Sequence, residues 1–219
     1  MANTLFLRLE GPLQAWGERA RWSVRDTSTE PTKSGVVGML GCALGISADQ
    51  DLADLSRGLR MGVRCEREGD FLTDFHTVIG GVISAEGKVK KDTVLSRRTY
   101  LCDASYLVAL QGETGLIARL SKAVQKPVWP VYLGRRSCVP AKNLYEGEGD
   151  FDDLLDALQR WPYQGKLDGE NDRLRVVVEV DAGQGTQRRD EILSNSHRIF
   201  LPRYTREHRI RPATLQEVD

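Results

Sequence analysis

Residues 31–45 read Pro-Thr-Lys-Ser-Gly-Val-Val-Gly-Met-Leu-Gly-Cys-Ala-Leu-Gly, and they limit the fold more narrowly than any other stretch. Thr32 is placed to cap a helix whose apolar face is Val36, Val37, Leu40, Ala43 and Leu44. Gly35, Gly38, Gly41 and Gly45 punctuate that helix. Relative to alanine they would cost about 3–4 kcal/mol in an exposed helix, so something must offset them. Close packing of the glycine face on a sheet does so, and so does close approach of a nucleic-acid backbone. The same helix start brings together free backbone N–H groups, the Lys33 ammonium and the Ser34 hydroxyl. That combination suits a phosphate, and equally an ordinary capped helix. The order of its glycines and Lys-Ser pair is not that of a Walker A loop, and no GxGxxG follows the first strand. Neither an NTPase nor a dinucleotide fold is indicated.

The hydrophobic pattern orders the other elements around this helix. Residues 5–9 read as a strand ended by Gly11-Pro12, and residues 11–31 as a long ordered loop. A short helix follows over 51–59 and a strand over 59–67, with strand-like stretches at 71–82 and 94–110. Residues 84–92 are polar, carry a glycine turn and lack core periodicity, which predicts a protruding hairpin or loop. A helix over 116–124, a strand and glycine turn within 128–136, a helix over 151–161 and strands over 174–180 and 198–209 complete the chain. The first 140 residues thus order as β-α-(α)-β-(hairpin)-β-α-β. The expected fold class is α+β: a ferredoxin-like, RRM-like domain over 1–140, with helices on one face of its sheet. Residues 141–219 are expected to form a small, mainly-β C-terminal subdomain.

Composition narrows the function. The chain has 219 residues, 31 basic and 31 acidic side chains and 40% hydrophobic residues, as a soluble globular protein does. No run approaches the roughly 18 apolar residues of a spanning helix, and the N-terminus lacks the marks of a signal peptide. Cys42, Cys65, Cys102 and Cys138 lie far apart, form no CxxC pair and have no histidine at ligand spacing, so reduced thiols in a cytoplasmic protein, without metal or cofactor, are expected. Charge is uneven: residues 1–140 hold 19 Lys/Arg against 15 Asp/Glu, residues 141–195 hold 7 against 13, and residues 196–219 hold 5 against 3. A protein coating bulk nucleic acid is usually basic throughout. Here an anion must be held locally, and the acidic stretch is expected to face solvent or a protein neighbour.

Three further segments can hold such an anion. In residues 11–17, Trp16 suits either a core edge or stacking on a base, with Arg19, Arg21, Trp22 and Arg25 following. A protrusion over 77–99 carries Lys88, Lys90, Lys91, Arg97 and Arg98, fit to lie along a phosphate backbone or to be a solvated loop. Gly134-Arg135-Arg136 offers bidentate anion recognition or surface salt bridges. For catalysis the best general base is His76, with Tyr100, Lys33 or Lys126 as possible helpers in RNA cleavage, although no spacing makes it more than a strand residue.

The motifs themselves go further. Leu7-Arg-Leu-Glu-Gly-Pro-Leu-Gln-Ala-Trp-Gly17, the 31–45 segment, Asp74-Phe-His-Thr-Val78, Arg98-Thr-Tyr-Leu-Cys-Asp-Ala-Ser105 and Pro130-Val-Tyr-Leu-Gly-Arg-Arg-Ser-Cys138 occur in this order. Together, over about residues 4–140, they closely resemble the CasD subunits of type I-E CRISPR Cascade surveillance complexes, within the RAMP superfamily. The resemblance implies an RRM-like core with a β-hairpin thumb, here about 77–99, and a C-terminal β subdomain. It further implies binding of the crRNA 5′ handle, capping of the row of backbone subunits, contact with the large PAM-reading subunit, and proximity to the PAM-proximal end of target DNA. Carried over by motif, Trp16, Arg25, Lys33, Ser34, Gly35, His76, Arg98, Arg135 and Arg136 are the expected handle contacts, and Lys88, Lys90 and Lys91 belong to the thumb. A different RAMP subunit cuts the repeat in this subtype, so the chain is expected to be non-catalytic. The alternative is a metal-independent endoribonuclease that processes CRISPR repeat RNA. A related subtype works that way, but this chain lacks that subunit's opening motif.

Overall fold

Strand β1 (Thr4–Glu10) is buried on both faces, which sets the layering of the molecule. Leu5, Leu7 and Leu9 enter one apolar cluster and Phe6 enters another across the sheet, as the two-residue period of a strand requires. The computed structural model describes residues 2–18, 24–83, 86–90, 92–167, 169 and 172–214. After β1 come the short strands β2 (Leu13–Gln14) and β3 (Val24–Arg25), then helices α1 (Lys33–Leu44) and α2 (Asp49–Arg57). Strands β4 (Leu59–Arg67), β5 (Asp70–Val78), β6 (Val82–Ile83), β7 (Val89–Lys90), β8 (Val94–Cys102) and β9 (Ser105–Gly112) follow, and then helix α3 (Thr114–Gln125). The chain continues as β10 (Tyr145–Gly149), α4 (Leu154–Arg160), β11 (Leu174–Val180), β12 (Thr186–Ser194) and β13 (Ile199–Ile210).

Seven strands make one antiparallel sheet in the order β10-β1-β9-β4-β11-β13-β12. Helices α1, α2 and α3 cover one face, while α4 packs on the other against Phe6, Leu107, Ala109, Val176 and Val178. The helices of residues 1–140 thus share one face, and α4, from the C-terminal segment, covers the other. Two strands differ from the expected set. No strand forms within 128–136; the fourth strand of the N-terminal half is β10, Tyr-Glu-Gly-Glu-Gly, which pairs with β1 alone. An edge strand with one partner carries little apolar signal. Strand β12, Thr-Gln-Arg-Arg-Asp-Glu-Ile-Leu-Ser, is charge-rich for a related reason: its buried Asp190 takes two hydrogen bonds from buried Arg203, at 2.9 and 2.7 Å. The expected 94–110 stretch is two strands, parted where Asp103 takes a positive φ of 54°.

Strands β10 and β11 are hydrogen-bonded directly to β1 and β4. The division expected at residue 140 thus falls inside a continuous sheet. The acidic stretch is also not simply outward-facing: Glu146, Glu179, Asp190 and Glu191 are largely buried and paired with Arg8, Lys33 or Arg203. The pairs made by Arg8 and Lys33 join the two halves of the chain.

A second, smaller sheet is built on β8. Strand β5 pairs with its full length from Asp70↔Cys102 to Val78↔Val94, while β2 and β3 dock on its other edge. Strands β6 and β7 form a two-rung tip. The resulting two-stranded arm spans 70–102 and starts earlier than the hairpin expected over 77–99. It exposes Phe71, Leu72, Phe75, Ile79, Ile83, Val89 and Leu95. Among the described residues no single helix is long and apolar enough to cross a membrane.

Candidate nucleic-acid interface

Helix α1 begins as its sequence predicts. Thr32 Oγ1 accepts from the Gly35 N–H at 3.3 Å. A side chain on Gly35 would put its Cβ 2.9 Å from the Trp16 ring, and one on Gly41 would meet Leu52 at 2.6 Å. Gly45 closes the helix with φ 71°, a left-handed conformation that favours glycine. Packing and capping therefore account for three of the four glycines; Gly38 faces open space. Trp16 is 1% exposed, and its indole N–H donates to Gln14 Oε1 at 3.0 Å. It is a core plug, and its ring is not available for stacking on a base.

Lys33 also departs from expectation. Its backbone N–H donates to Asp190 Oδ2 at 2.8 Å, and its ammonium lies 3.1 Å from Glu179 and 3.3 Å from Glu191, 1% exposed. The charge is neutralised inside the protein, so Lys33 ties α1 to β11 and β12 and does not present its ammonium to a phosphate. Ser34 and Gly35 remain partly exposed beside it and line a cleft of about 360 Å³.

Arginines dominate that cleft. Parallel pairing of β3 with β8 sets Arg25 beside Arg98. Arg135 lies over the Tyr100 ring at 4.5 Å and donates to the carbonyls of Thr99, Arg25 and Asp26 at 3.0, 3.0 and 3.1 Å. It is held there by Gly134, whose φ is 94° and whose Cβ, if it had one, would overlap the Ala15 carbonyl. Arg198, from the turn between β12 and β13, lines the cleft with Asn195 and Phe200. Partial burial, and then the charges of Arg98, Arg135 and Arg198, push the Arg25 guanidinium below its ordinary pKa. Like charges gathered in this way repel one another unless an anion sits among them. Asp26 lines the same cleft, and its buried Oδ1 has no hydrogen-bond partner among the described residues.

The other expected residues lie elsewhere. His76 is on the arm, 3.6 Å from Asp74 and across the ladder from Ser96. Arg136 is exposed and, unlike Arg135, does not line the cleft. Lys88 is exposed near the arm's tip; Lys90 pairs through its backbone with Val82. Lys91, Arg19, Arg21 and Trp22 lie outside the described residues. Asp26, Asn195, Arg198 and Phe200 have no motif to mark them; the small positive excess of residues 196–219 is a signal for Arg198 alone. Among the described residues no group of three or more His, Cys, Asp or Glu side chains is placed to hold a metal ion.

Comparison with known proteins agrees with this architecture. The chain is 40% identical over 171 residues to the CRISPR system Cascade subunit CasD of Escherichia coli (strain K12), covering 72% of this chain and 76% of that protein. A crystal structure of a Cas protein matches with TM-score 0.74 and 37% identity, over 96% of this chain and 98% of the other. A chain of a CRISPR RNA-guided surveillance complex matches with TM-score 0.79 and 29% identity, over 95% and 90% of the two chains. The family model for CRISPR-associated protein (Cas_Cas5) spans residues 4–213, from the first strand to the end of the sheet, and the chain belongs to that family.

Proposed function

We propose that this chain is a non-catalytic subunit of a Cascade-type CRISPR surveillance complex and holds the 5′ handle of the crRNA in the arginine cleft. The observation that carries the reading is the convergence of Arg25, Arg135 and Arg198 on the cleft at the start of α1, with Arg98 beside Arg25 on the β3–β8 ladder. Guanidiniums and helix-start N–H groups grip phosphates, while Asp26 Oδ1, which has no donor among the described residues, suits a ribose hydroxyl or a base amino group. Strands β1, β4, β9 and β10 lie fourth-first-third-second in the sheet, with α1–α2 and α3 in the two crossovers. That interleaving of two split βαβ halves supports a ferredoxin-like core. The arm over 70–102 is then the thumb laid along the guide, and its exposed apolar side chains suit contact with the next backbone subunit. Docking toward the large PAM-reading subunit and the PAM-proximal DNA belongs to the same reading.

The non-catalytic part rests on the placement of the acid–base candidates. Tyr100 lies beneath Arg135, Lys33 is enclosed by carboxylates, and His76 has Asp74 and Ser96 for neighbours. Co-expression with the neighbouring subunits and a repeat–spacer array tests both parts. Complexes carrying Arg25→Glu or Arg98→Glu should lose crRNA while the isolated variants stay folded. Unchanged crRNA content would refute the cleft as the handle site. Site-specific cleavage of repeat RNA in EDTA, abolished by His76→Ala, would overturn the non-catalytic part.

A further inference from the structure

The cleft's outer wall is borne by a five-residue turn that a single distant carboxylate holds in shape. Asp49 is the first residue of α2. Its Oδ1 accepts from the backbone N–H groups of Asn195 and Ser196 at 3.1 and 2.9 Å, and its Oδ2 accepts from the hydroxyls of Ser194 and Ser196. The turn then closes on itself: the His197 N–H donates to Ser194 Oγ at 3.2 Å and the Arg198 N–H to the Asn195 carbonyl at 3.2 Å. Arg198 has a positive φ of 53°, a conformation that a non-glycine residue keeps only when its surroundings impose it. That constraint directs the chain so that Asn195 and Arg198 line the cleft while the His197 side chain is 78% exposed.

Local physics alone would use Asp49 otherwise. Ala48, at the cap position of α2, makes no side-chain hydrogen bond to the helix start. An aspartate in the first turn ordinarily serves its own helix, yet both oxygens of this one are given to a segment 145–147 residues away. The hydrogen bonds from Ser194 and Ser196 pull its pKa down to about 2, so the acceptor is fully ionised near neutral pH.

We infer that Asp49 is a positioning residue for RNA binding: it clasps the 194–198 turn so that Arg198, from the far end of the chain, completes the phosphate grip begun by Arg25 and Arg98. This rests on the reading of the cleft as an RNA site. The test uses the full chain, a fluorescein-labelled single-stranded RNA of about ten nucleotides, and anisotropy titrations over a range of salt. Arg198→Ala should weaken binding about tenfold, the size of one charge-assisted contact, and flatten the dependence of log K on log salt by about 0.7. Asp49→Ala should reproduce both effects. The double variant should bind no more weakly than Arg198→Ala alone, because the two changes remove one contact.

Asp49→Asn, which keeps an acceptor for the two backbone N–H groups, should recover part of the loss. Should Asp49→Ala fail to fold, Ser194→Ala with Ser196→Ala removes the hydroxyl bonds only and should lower affinity and salt slope in the same direction. Normal binding and slope in the Asp49 or paired serine variants, beside a weakened Arg198→Ala, would overturn the clasp; so would multiplicative losses in the double variant. If Arg25→Ala, Arg98→Ala and Arg198→Ala all bind normally, it is the RNA cleft itself that fails.

Discussion

Lys33 shows how one residue can keep its predicted position and lose its predicted role. It stands at the helix start that its neighbours specify, but the ammonium is enclosed by Glu179 and Glu191, with Arg203 3.6 Å from Glu179. From the sequence, Lys33→Glu reads as a change that releases RNA and spares the fold. The structure gives the opposite expectation, since a third carboxylate would enter a buried acidic pair. Even Lys33→Met, which keeps the volume, leaves Glu191 without its cation and Glu179 with Arg203 alone, and should cost about 3 kcal/mol of stability. Urea denaturation of the purified variants measures this, and a Lys33→Met protein of normal stability would refute the strut. A sequence motif records which residue types meet at a helix start but not which charges arrive from strands some 150 residues later.

At the scale of elements, the tip of the arm is separable from the core, whereas its base, at Tyr100 and Leu101, belongs to the core cluster. Tip strands β6 and β7 pair only with each other, and the exposed apolar side chains of β5 and β8 lie outside both core clusters. Replacing residues 79–93 by a short Gly-Ser turn should therefore change the unfolding free energy by less than about 1 kcal/mol, while lowering the crRNA retained by the assembled complex. Calorimetry of the chain and RNA extraction from the complex check the two halves of that expectation. Strands rich in apolar side chains, such as β1, β4 and β11, were legible because their burial demands them. Strands β10 and β12 were not, because one is a glycine- and glutamate-rich edge and the other carries ion pairs in place of apolar contacts.

Across the whole molecule, buried ion pairs join the N-terminal segment to β11 and β12 and tie β12 to β13. Arg188 pairs with Glu18 and Glu30, Arg175 with Glu30 at 2.9 Å, and Arg203 with Asp190. Burial raises the pKa values of Glu30 and Asp190. Thr29, Arg188 and Arg175 around Glu30, and Arg203 around Asp190, more than offset this and leave both below their ordinary 4.5 and 3.8. Groups with depressed folded-state pKa values contribute stability that is present above the unfolded values and lost as pH falls through the folded ones. Stability should thus hold down to about pH 5 and decline below it, with amides of β12 and β13 losing hydrogen-exchange protection before those of β1 and β9. Uniform loss of protection across the sheet would count against these pairs as the joint.

The amino-acid order by itself determined the capped, glycine-bearing helix, the main alternating strands, the family resemblance and the glycine turn before Arg135. These are local patterns, set by backbone geometry and by the period at which side chains are buried. Only the tertiary structure decided that Trp16 and Lys33 are enclosed, that the last third of the chain completes the first sheet, and that Arg198 joins Arg25 and Arg135 at one cleft. Those outcomes depend on which distant strands pair and which opposite charges meet, and such contacts leave no period in the sequence because their partners lie a hundred residues or more apart.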